Sequence, residues 1–506
     1  MVATEMISQG FQLPLPLALL LIGGLATPII GLLAERIGMP KIREAWMVIV
    51  SAGALGSVYL LYQQVAASAG GVIVVAMWDQ APPLGGSFEI DMLSVFMAAS
   101  IGLIGLLVAV YSVSYMEKET RLTEFYALVI FMMAGMTGIV LAGDLFTLFV
   151  FWELMGLSSY VLVAFLKRTW GPIEAGFKYL IMSATAGAFL LLSMAIIYGM
   201  TGSLNFAAIA STLRSAPASP WVIILFSTLI VGFGVKSSIV PLHTWLPDAH
   251  PEAPSPISAL LSGIVIETGL YALTRVLFLV FDPGLFKMPV AFLAVLTMTL
   301  GNVMALRQTD IKRLLAYSSI AQVGYMLVGL AAGTAYGVMG LLLHVFNHSI
   351  MKGMAFLAAG SIIHEAGTRD IKSLRGVGKM MPLTSISLFI ALLGLGGVPG
   401  TNGFISKYHL FSAAFGSGLG WLGIIGVLNS ALSMAYYIRI MQVLLGTPGE
   451  GFKVHEAPAL MVGVTLIMTA IIIFLGIWPA PIINFATSAS EALVNGLSTF
   501  IAAVLG

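Results

Sequence analysis

Apolar runs follow one another along almost the whole chain, each closed by a short polar or Gly/Pro-rich stretch. A helix needs about 20 apolar residues to cross a bilayer. Read on that rule, the runs predict helices near 14–34, 45–66, 93–115, 124–141, 146–166, 174–198, 221–246, 255–281, 288–306, 311–332, 335–363, 382–413, 420–447 and 457–479, which makes fourteen spans. The tail 480–506 is apolar apart from Glu491 and reads as an interfacial helix as readily as a fifteenth span.

Two runs carry internal breaks. Span 7 contains Pro241, which cannot donate a backbone hydrogen bond, and span 12 contains GLGGVPGTNGF. Discontinuous helices in corresponding places of two halves mark transporters built from inverted repeats, with ion sites at the unwound backbone. The expected fold is therefore an all-α integral membrane protein whose spans 4–8 (about 124–281) and 9–13 (about 288–447) form two inverted five-helix repeats. Helices in 14–115 and 457–479 flank them, and the whole of 1–506 forms one transmembrane domain with a tail helix at 480–506.

Composition agrees: 59% of residues are hydrophobic and 9% charged, against about 25% charged in a soluble domain. The absence of cysteine excludes a disulfide, an iron-sulfur cluster or a thiolate metal site supplied by this chain. No cofactor or metal is expected. The net charge of +1 gives no argument for nucleic acid. The N-terminal MVATEMISQG lacks the basic stretch of a cleavable signal, so the first run is expected to stay as a helix.

Basic residues segregate by loop. Arg36, Lys41, Arg43, Lys118, Arg121, Lys167, Arg168, Arg307, Lys312, Arg313, Arg369, Lys372, Arg375, Lys379 and Lys453 fall in alternate loops, while the other side holds only Arg214 and Lys287. Because loops on the cytoplasmic side hold the Lys and Arg residues, this places both termini on the outer face of a prokaryotic plasma membrane.

The other six basic residues, Lys178, Lys236, Arg275, Lys352, Lys407 and Arg439, lie inside spans or at their ends. A charge at mid-bilayer costs at least about 2.5–3.5 kcal/mol, so such groups normally face a bundle interior and have a function. Span 5 carries Glu153 beyond Asp144; span 7 carries Lys236 five residues before Pro241; span 8 carries Glu267. Span 11 carries His344, His348 and Lys352 at intervals of four, on one helical face, and Lys407 follows the break in span 12. Burial and nearby carboxylates readily change a lysine's proton affinity, and histidine titrates near neutrality, so a line of these groups can pass protons.

Simpler readings exist for several of them. Glu153 and Lys236 could form a structural ion pair, though such a pair needs no opened helix. Glu267 could be a fixed counter-ion to Arg275, two turns along the helix. Arg275 and Arg439 read as snorkelling to an interface; Lys178 reads as snorkelling or functional; His364 and His409 read as lying near span ends. The spacing of His344 and His348 suits a metal, but Lys352 one turn on would repel it.

The segments DLFTLFVFWELMGLSSYVLVAF, KSSIVPLHTWLPDAHPEAPSPISALLSG, ALRQTDIKRLLAYSSIAQVGYMLVGL, HVFNHSIMKGMAFLAAGSIIH, GTRDIKSLRGVGKMMP and GGVPGTNGFISKYHLF resemble the antiporter-like subunits shared by respiratory complex I, Mrp-type sodium/proton antiporters, and membrane-bound hydrogenase and sulfur-reductase complexes. The FWELM and NHSIMKG wording is more similar to the hydrogenase and sulfur-reductase group. The resemblance implies that Glu153 and Lys236 gate one half-channel, that Lys352 is the central relay, and that Lys407 ends the outward path. It gives Asp144, His344 and His348 relay or coupling roles. Where the family commonly has a lysine in span 8, this chain has Glu267.

The expected function is an H+ and/or Na+ translocating subunit without a redox centre of its own, beside other membrane subunits, with iron-sulfur subunits at a distance. Alternatives are a subunit-D-like member of an Mrp antiporter, an autonomous secondary transporter, and a quinone-reducing enzyme, the last without any cofactor motif.

Overall fold

The computed structural model describes residues 12–506 except 69, 78, 79, 81, 168, 215–218 and 450–452, so the N-terminal decapeptide and Arg168 lie outside the described residues. The chain runs α1 (Leu15–Arg36), α2 (Lys41–Ala67), β1 (Val72–Ala76), β2 (Ser87–Asp91), α3 (Met92–Tyr115), α4 (Leu122–Leu141), α5 (Leu145–Val163), α6 (Trp170–Thr201), α7 (Phe206–Leu213), α8 (Pro220–Lys236) and α9 (Leu246–Glu252). It continues through α10 (Ser255–Leu260), α11 (Ile266–Val280), α12 (Pro283–Leu306), α13 (Ile311–Ala332), α14 (Ala335–Ala366), α15 (Val377–Met380), α16 (Pro382–Gly396), α17 (Asn402–Gly416), α18 (Gly420–Leu444), α19 (Ala459–Ile477), α20 (Ala480–Val494) and α21 (Leu497–Leu505).

Among the described residues twelve segments form helices long and apolar enough to cross a membrane, counting α10 to α11 as one. The interrupted runs α8–α9 and α16–α17 lie at the places expected for spans 7 and 12, and the described residues hold 12 to 14 candidate spans, the upper figure counting Lys372–Met380 with α16 and α20 with α21 as one bent span each. The tail is neither a straight span nor one interfacial helix: α20 and α21 meet at a 65° bend, and α20 packs on α3 and α14.

Local chemistry sets the helix ends. Asp144 caps α5 by accepting from Thr147 N at 2.7 Å, and Asp310 caps α13 by accepting from Lys312 N at 2.8 Å. Span 7 opens after Lys236, where Ser238 takes a left-handed backbone (φ 55°) and Pro241 cannot donate. Span 12 opens at Gly397 (φ 83°) and Gly400 (φ 89°), conformations that favour glycine. Side chains bond carbonyls at each break, Val235 O accepting also from Ser238 N at 3.1 Å. Trp245 Nε1 donates to Val235 O at 2.7 Å; Lys407 Nζ and Gln322 Nε2 both donate to Leu395 O, at 2.6 and 3.0 Å.

Two features depart from the sequence reading. The connection between α2 and α3 is an antiparallel hairpin pairing Val72 with Asp91 and Ala76 with Ser87. Between α10 and α11 the helix widens into a single π-turn, Leu261–Val265, immediately before Glu267. The hairpin corrects Arg275. Rather than snorkelling, Arg275 is 2% exposed and donates to both oxygens of Asp91, at 3.1 and 3.0 Å, and to Tyr271 Oη at 3.1 Å. Arg439, five residues inside the end of α18, donates to Leu306 O at 3.2 Å and Gln308 O at 3.3 Å at the end of α12.

Removing one partner of a buried ion pair strands the other charge, at about 3–5 kcal/mol. Arg275→Met should therefore lower the unfolding stability of the detergent-solubilised protein by about that amount, and Asp91→Asn should lower it similarly. The double variant should recover part of the loss, as read from thermal melts. Additive losses in the double variant would show that the pair is not coupled.

Candidate functional site

The two helix breaks turn charged side chains into the bundle. Lys236, the last residue of α8, is 1% exposed, and its amine donates to Tyr179 Oη at 3.0 Å from α6. It also lies 4.7 Å from the Tyr179 ring, which stacks on Trp245 at 3.8 Å. Gly156 on α5 faces this amine: a Cβ there would be in ordinary contact, 3.4 Å from Lys236 Nζ. Glu153, one turn earlier on α5, makes no direct bond to Lys236; the two interact electrostatically. Its carboxylate lies against Gly187 of α6 and is exposed at the surface of the bundle.

From Lys236 the site passes to α11. Gly269 packs on the backbone at the end of α8, where a Cβ would meet Ser237 Oγ at 2.8 Å. Two residues earlier stands Glu267, fully buried, bonded through Oε1 to His348 Nδ1 and accepting from Ser349 Oγ at 2.6 Å. Its partner is thus a histidine of α14, and the alternative in which it neutralises Arg275 falls away, because Asp91 does so.

The face of α14 continues the line. His348 and His344 stack with ring centroids 6.1 Å apart. His344 Nδ1 bonds Ser406 Oγ at 2.8 Å and its Nε2 bonds Gln322 Oε1 at 3.0 Å. Ser406 adjoins Lys407, whose amine also donates to Ser430 Oγ at 2.8 Å and sits 4.6 Å from the Tyr325 ring. Lys352 is fully buried, bonded to Ser318 Oγ.

The structure therefore brings Lys236, Glu267, His348, His344, Lys352 and Lys407 into one buried interior. Asp144 lies apart, at the end of α5 below the hairpin, accepting from Ser87 N at 3.0 Å. Lys178 is not drawn in: half-exposed, it pairs with Glu174 and Asp248, each at 2.9 Å. His409, in the middle of α17, bonds Tyr336 at 2.8 Å, and His364, in the last turn of α14, bonds Glu365 at 2.9 Å.

Several polar groups escaped the sequence reading. Lys312 counts as a loop residue by position, yet it is 3% exposed, with its amine on Ala253 O at 2.5 Å. His250, fully buried in α9, stacks on Phe356 at 4.5 Å. Together they extend the buried polar groups from Lys352 toward the loops rich in Lys and Arg. The available signal for His250 was the dense HTWLPDAHPEAPSP segment, in which it falls on a helix too short to show periodicity.

The chain is similar to known proteins along most of its length. Residues 142–433 match the family model described as NADH:quinone oxidoreductase/Mrp antiporter, TM, and 83–126 match the complex I chain 5 N-terminus model. Subunit N of the F(420)H(2) dehydrogenase of Methanosarcina mazei is 35% identical over 422 residues, covering 81% of this chain and 85% of that protein. NADH-quinone oxidoreductase subunit N of Desulforudis audaxviator is 35% identical over 423 residues, covering 80% and 84%. A chain of the membrane-bound sulfane sulfur reductase, an archaeal respiratory membrane complex, superposes with a TM-score of 0.88 at 31% identity, covering 97% of this chain and 99% of that one. With more than half its length in the family model and these relatives covering most of the rest, the chain belongs to the NADH:quinone oxidoreductase/Mrp antiporter family of multi-pass membrane subunits.

Proposed function

We propose that the chain is the ion-translocating subunit of a redox-driven complex of sulfur-reductase or membrane-bound hydrogenase type, moving protons along the buried Glu/Lys/His line. The observation that carries this reading is the buried run in which Glu267 bonds His348, the His348 ring stacks on His344 with centroids 6.1 Å apart, and His344 bonds Ser406, beside Lys407. Glu267 and His348 can exchange a proton across their bond and His344 and Ser406 across theirs, while transfer from His348 Nε2, which has no hydrogen-bond partner among the described residues, to His344 needs a bridging water. The match to a sulfane sulfur reductase chain over 97% of this chain supports that type of complex, with the sequence likeness of FWELM and NHSIMKG pointing the same way. Sodium remains the alternative cargo.

In this reading Lys236 loads the line, held in place by Tyr179 and biased by the charge of Glu153. Lys352 and Lys407 are two cations whose mutual repulsion couples the states of the groups between them. The repeats are 124–281 and 288–447, related by inversion. Their N-caps support this: Asp144 bridges to Asn205 after the next span, and Asp310 bridges to Asp370 in the same way. The loops rich in Lys and Arg face the cytoplasm and both termini face outward.

Partner subunits cover the exposed side of α5. A carboxylate facing lipid at mid-span is costly, so the surface carrying Glu153 calls for a neighbouring protein chain. Iron-sulfur subunits supply the redox energy from elsewhere in the complex.

The test is pumping by the purified complex in liposomes, with and without sodium and a protonophore. Sodium-independent acidification abolished by protonophore is expected; sodium uptake without it would replace the proton by sodium. In this assay Lys236→Ala should cut translocation roughly 10²-fold or more while the complex still assembles, since a positioned proton-transfer group contributes about that much. Near-normal pumping would remove Lys236 from the line.

Glu267→Gln keeps an acceptor for Ser349 Oγ but cannot exchange a proton with His348. Translocation should fall by a similar factor with little change in thermal stability. Full pumping with a lowered melting temperature would make Glu267 a structural group instead.

A further inference from the structure

We infer that Glu89 is a proton-exchange site at the outer end of the first repeat, behind the β1–β2 hairpin, through which protons on the buried line meet the outer solvent. This rests on the translocation reading above. The argument begins with strand geometry. Side chains two apart on a strand share a face, so β2 directs Ser87, Glu89 and Asp91 to the same side. That side meets the end of α5 at Asp144, the start of α7 at Asn205 and the last turns of α11 at Arg275.

Three buried acids thus share one arginine, and two of them are fully served. Asp91 pairs with Arg275 and also accepts from Ser94 N at 2.8 Å and Ser94 Oγ at 3.0 Å. Asp144 takes Thr147 N at 2.7 Å, Thr147 Oγ1 at 2.7 Å and Ser87 N at 3.0 Å, and it caps a helix whose dipole favours negative charge. Glu89 is the remainder. Its Oε1 accepts from Asn205 Nδ2 at 2.5 Å and Ser87 Oγ at 3.1 Å, while its Oε2, fully buried, has no hydrogen-bond partner among the described residues. A buried carboxylate left so is the group that takes up a proton.

Burial pushes the Glu89 carboxyl up to about 8, with the charge of Asp144 adding to the rise; the bonds from Asn205 and Ser87 and the charge of Arg275 oppose it. The group is therefore protonated below about pH 8 and releases its proton as the outer pH rises through that value. Release leaves a carboxylate beside Arg275, which the line must reprotonate before the next cycle. The two sites share one helix face: Glu267, Tyr271 and Arg275 follow at intervals of four along α11, placing the clusters about 12 Å apart on the helix axis.

The test is infrared titration of the whole complex, wild type against Glu89→Gln, whose amide retains an acceptor for Asn205 and Ser87. A protonated-carboxyl band that disappears on raising the pH through about 8, is absent from Glu89→Gln and returns in Glu89→Asp is expected. The same band in Glu89→Gln, or no titration, overturns the assignment. In liposomes Glu89→Gln should slow pumping several-fold and remove its dependence on outer pH near 8; an unchanged rate and profile would overturn the exchange role. Should Glu89→Gln fail to assemble, the Glu89→Asp complex decides by whether its titration moves. A wild-type complex that does not pump defeats the translocation reading, whereas a carboxyl that does not titrate in a pumping complex defeats this inference alone.

Discussion

Inside hydrocarbon every backbone N–H and C=O must find a partner within the protein, and the architecture of this chain follows from how that rule is met where helices break. Twelve segments satisfy it by being continuous helices. At the breaks after α8 and α16 the ladder is interrupted, and carbonyls there recruit side chains. Val235 O takes the indole of Trp245; Leu395 O takes the amine of Lys407 and the amide of Gln322. The same Trp245 stacks on Tyr179, which bonds Lys236, and the same Gln322 bonds His344. The groups that repair the backbone are thereby the groups that orient the charge line, so neither break could be healed without dismantling it.

Charge balance explains why an acid stands in span 8. His344, His348, Lys352 and Lys407 interact electrostatically within one buried interior, and a further lysine at position 267 would add to their repulsion. A carboxyl there supplies the compensating acceptor for His348 and Ser349. The π-turn lies immediately before it, and π-turns are frequent at functional sites. Close packing fixes the contact: a Cβ on Gly263, within the π-turn, would stand 3.2 Å from Ser349 O and 3.6 Å from Gly353 N. Acid and histidine therefore meet across backbones with little slack between them.

The spans, both breaks and the intramembrane charges were legible in the sequence because lipid enforces them locally: apolar length, a proline, a glycine-rich stretch, a charge where none is tolerated. What escaped depends on partners far apart in the chain. Arg275 and Asp91 are 184 positions apart, and no local pattern distinguishes an arginine that snorkels from one that folds inward to a hairpin. Lys312 sits in RQTDIKR, whose density of polar residues marks a loop, and only tertiary packing shows that its amine is buried against Ala253. The hairpin was missed because VIVVA is as apolar as any helix run and SFEID is too short for its alternation to stand out.

In the proposed translocation line the two ends of the interior differ in kind, and on that reading the difference gives the line a direction. Toward the loops rich in Lys and Arg the buried groups beyond Lys352 are a lysine and a histidine, Lys312 and His250, stacked or bonded to neutral partners. Toward the hairpin the buried groups are carboxylates, with one arginine among three acids. Between them lie Glu267 and His348, an acid and a base sharing one hydrogen bond. A proton that enters among bases is repelled by their cations once they are charged, and it is attracted by carboxylates at the far end. That gradient of fixed chemistry is built by α11 and α14 alone at its centre, so a change in charge at Lys236, which packs beside Gly269 of α11, acts on the middle of the line rather than on either mouth.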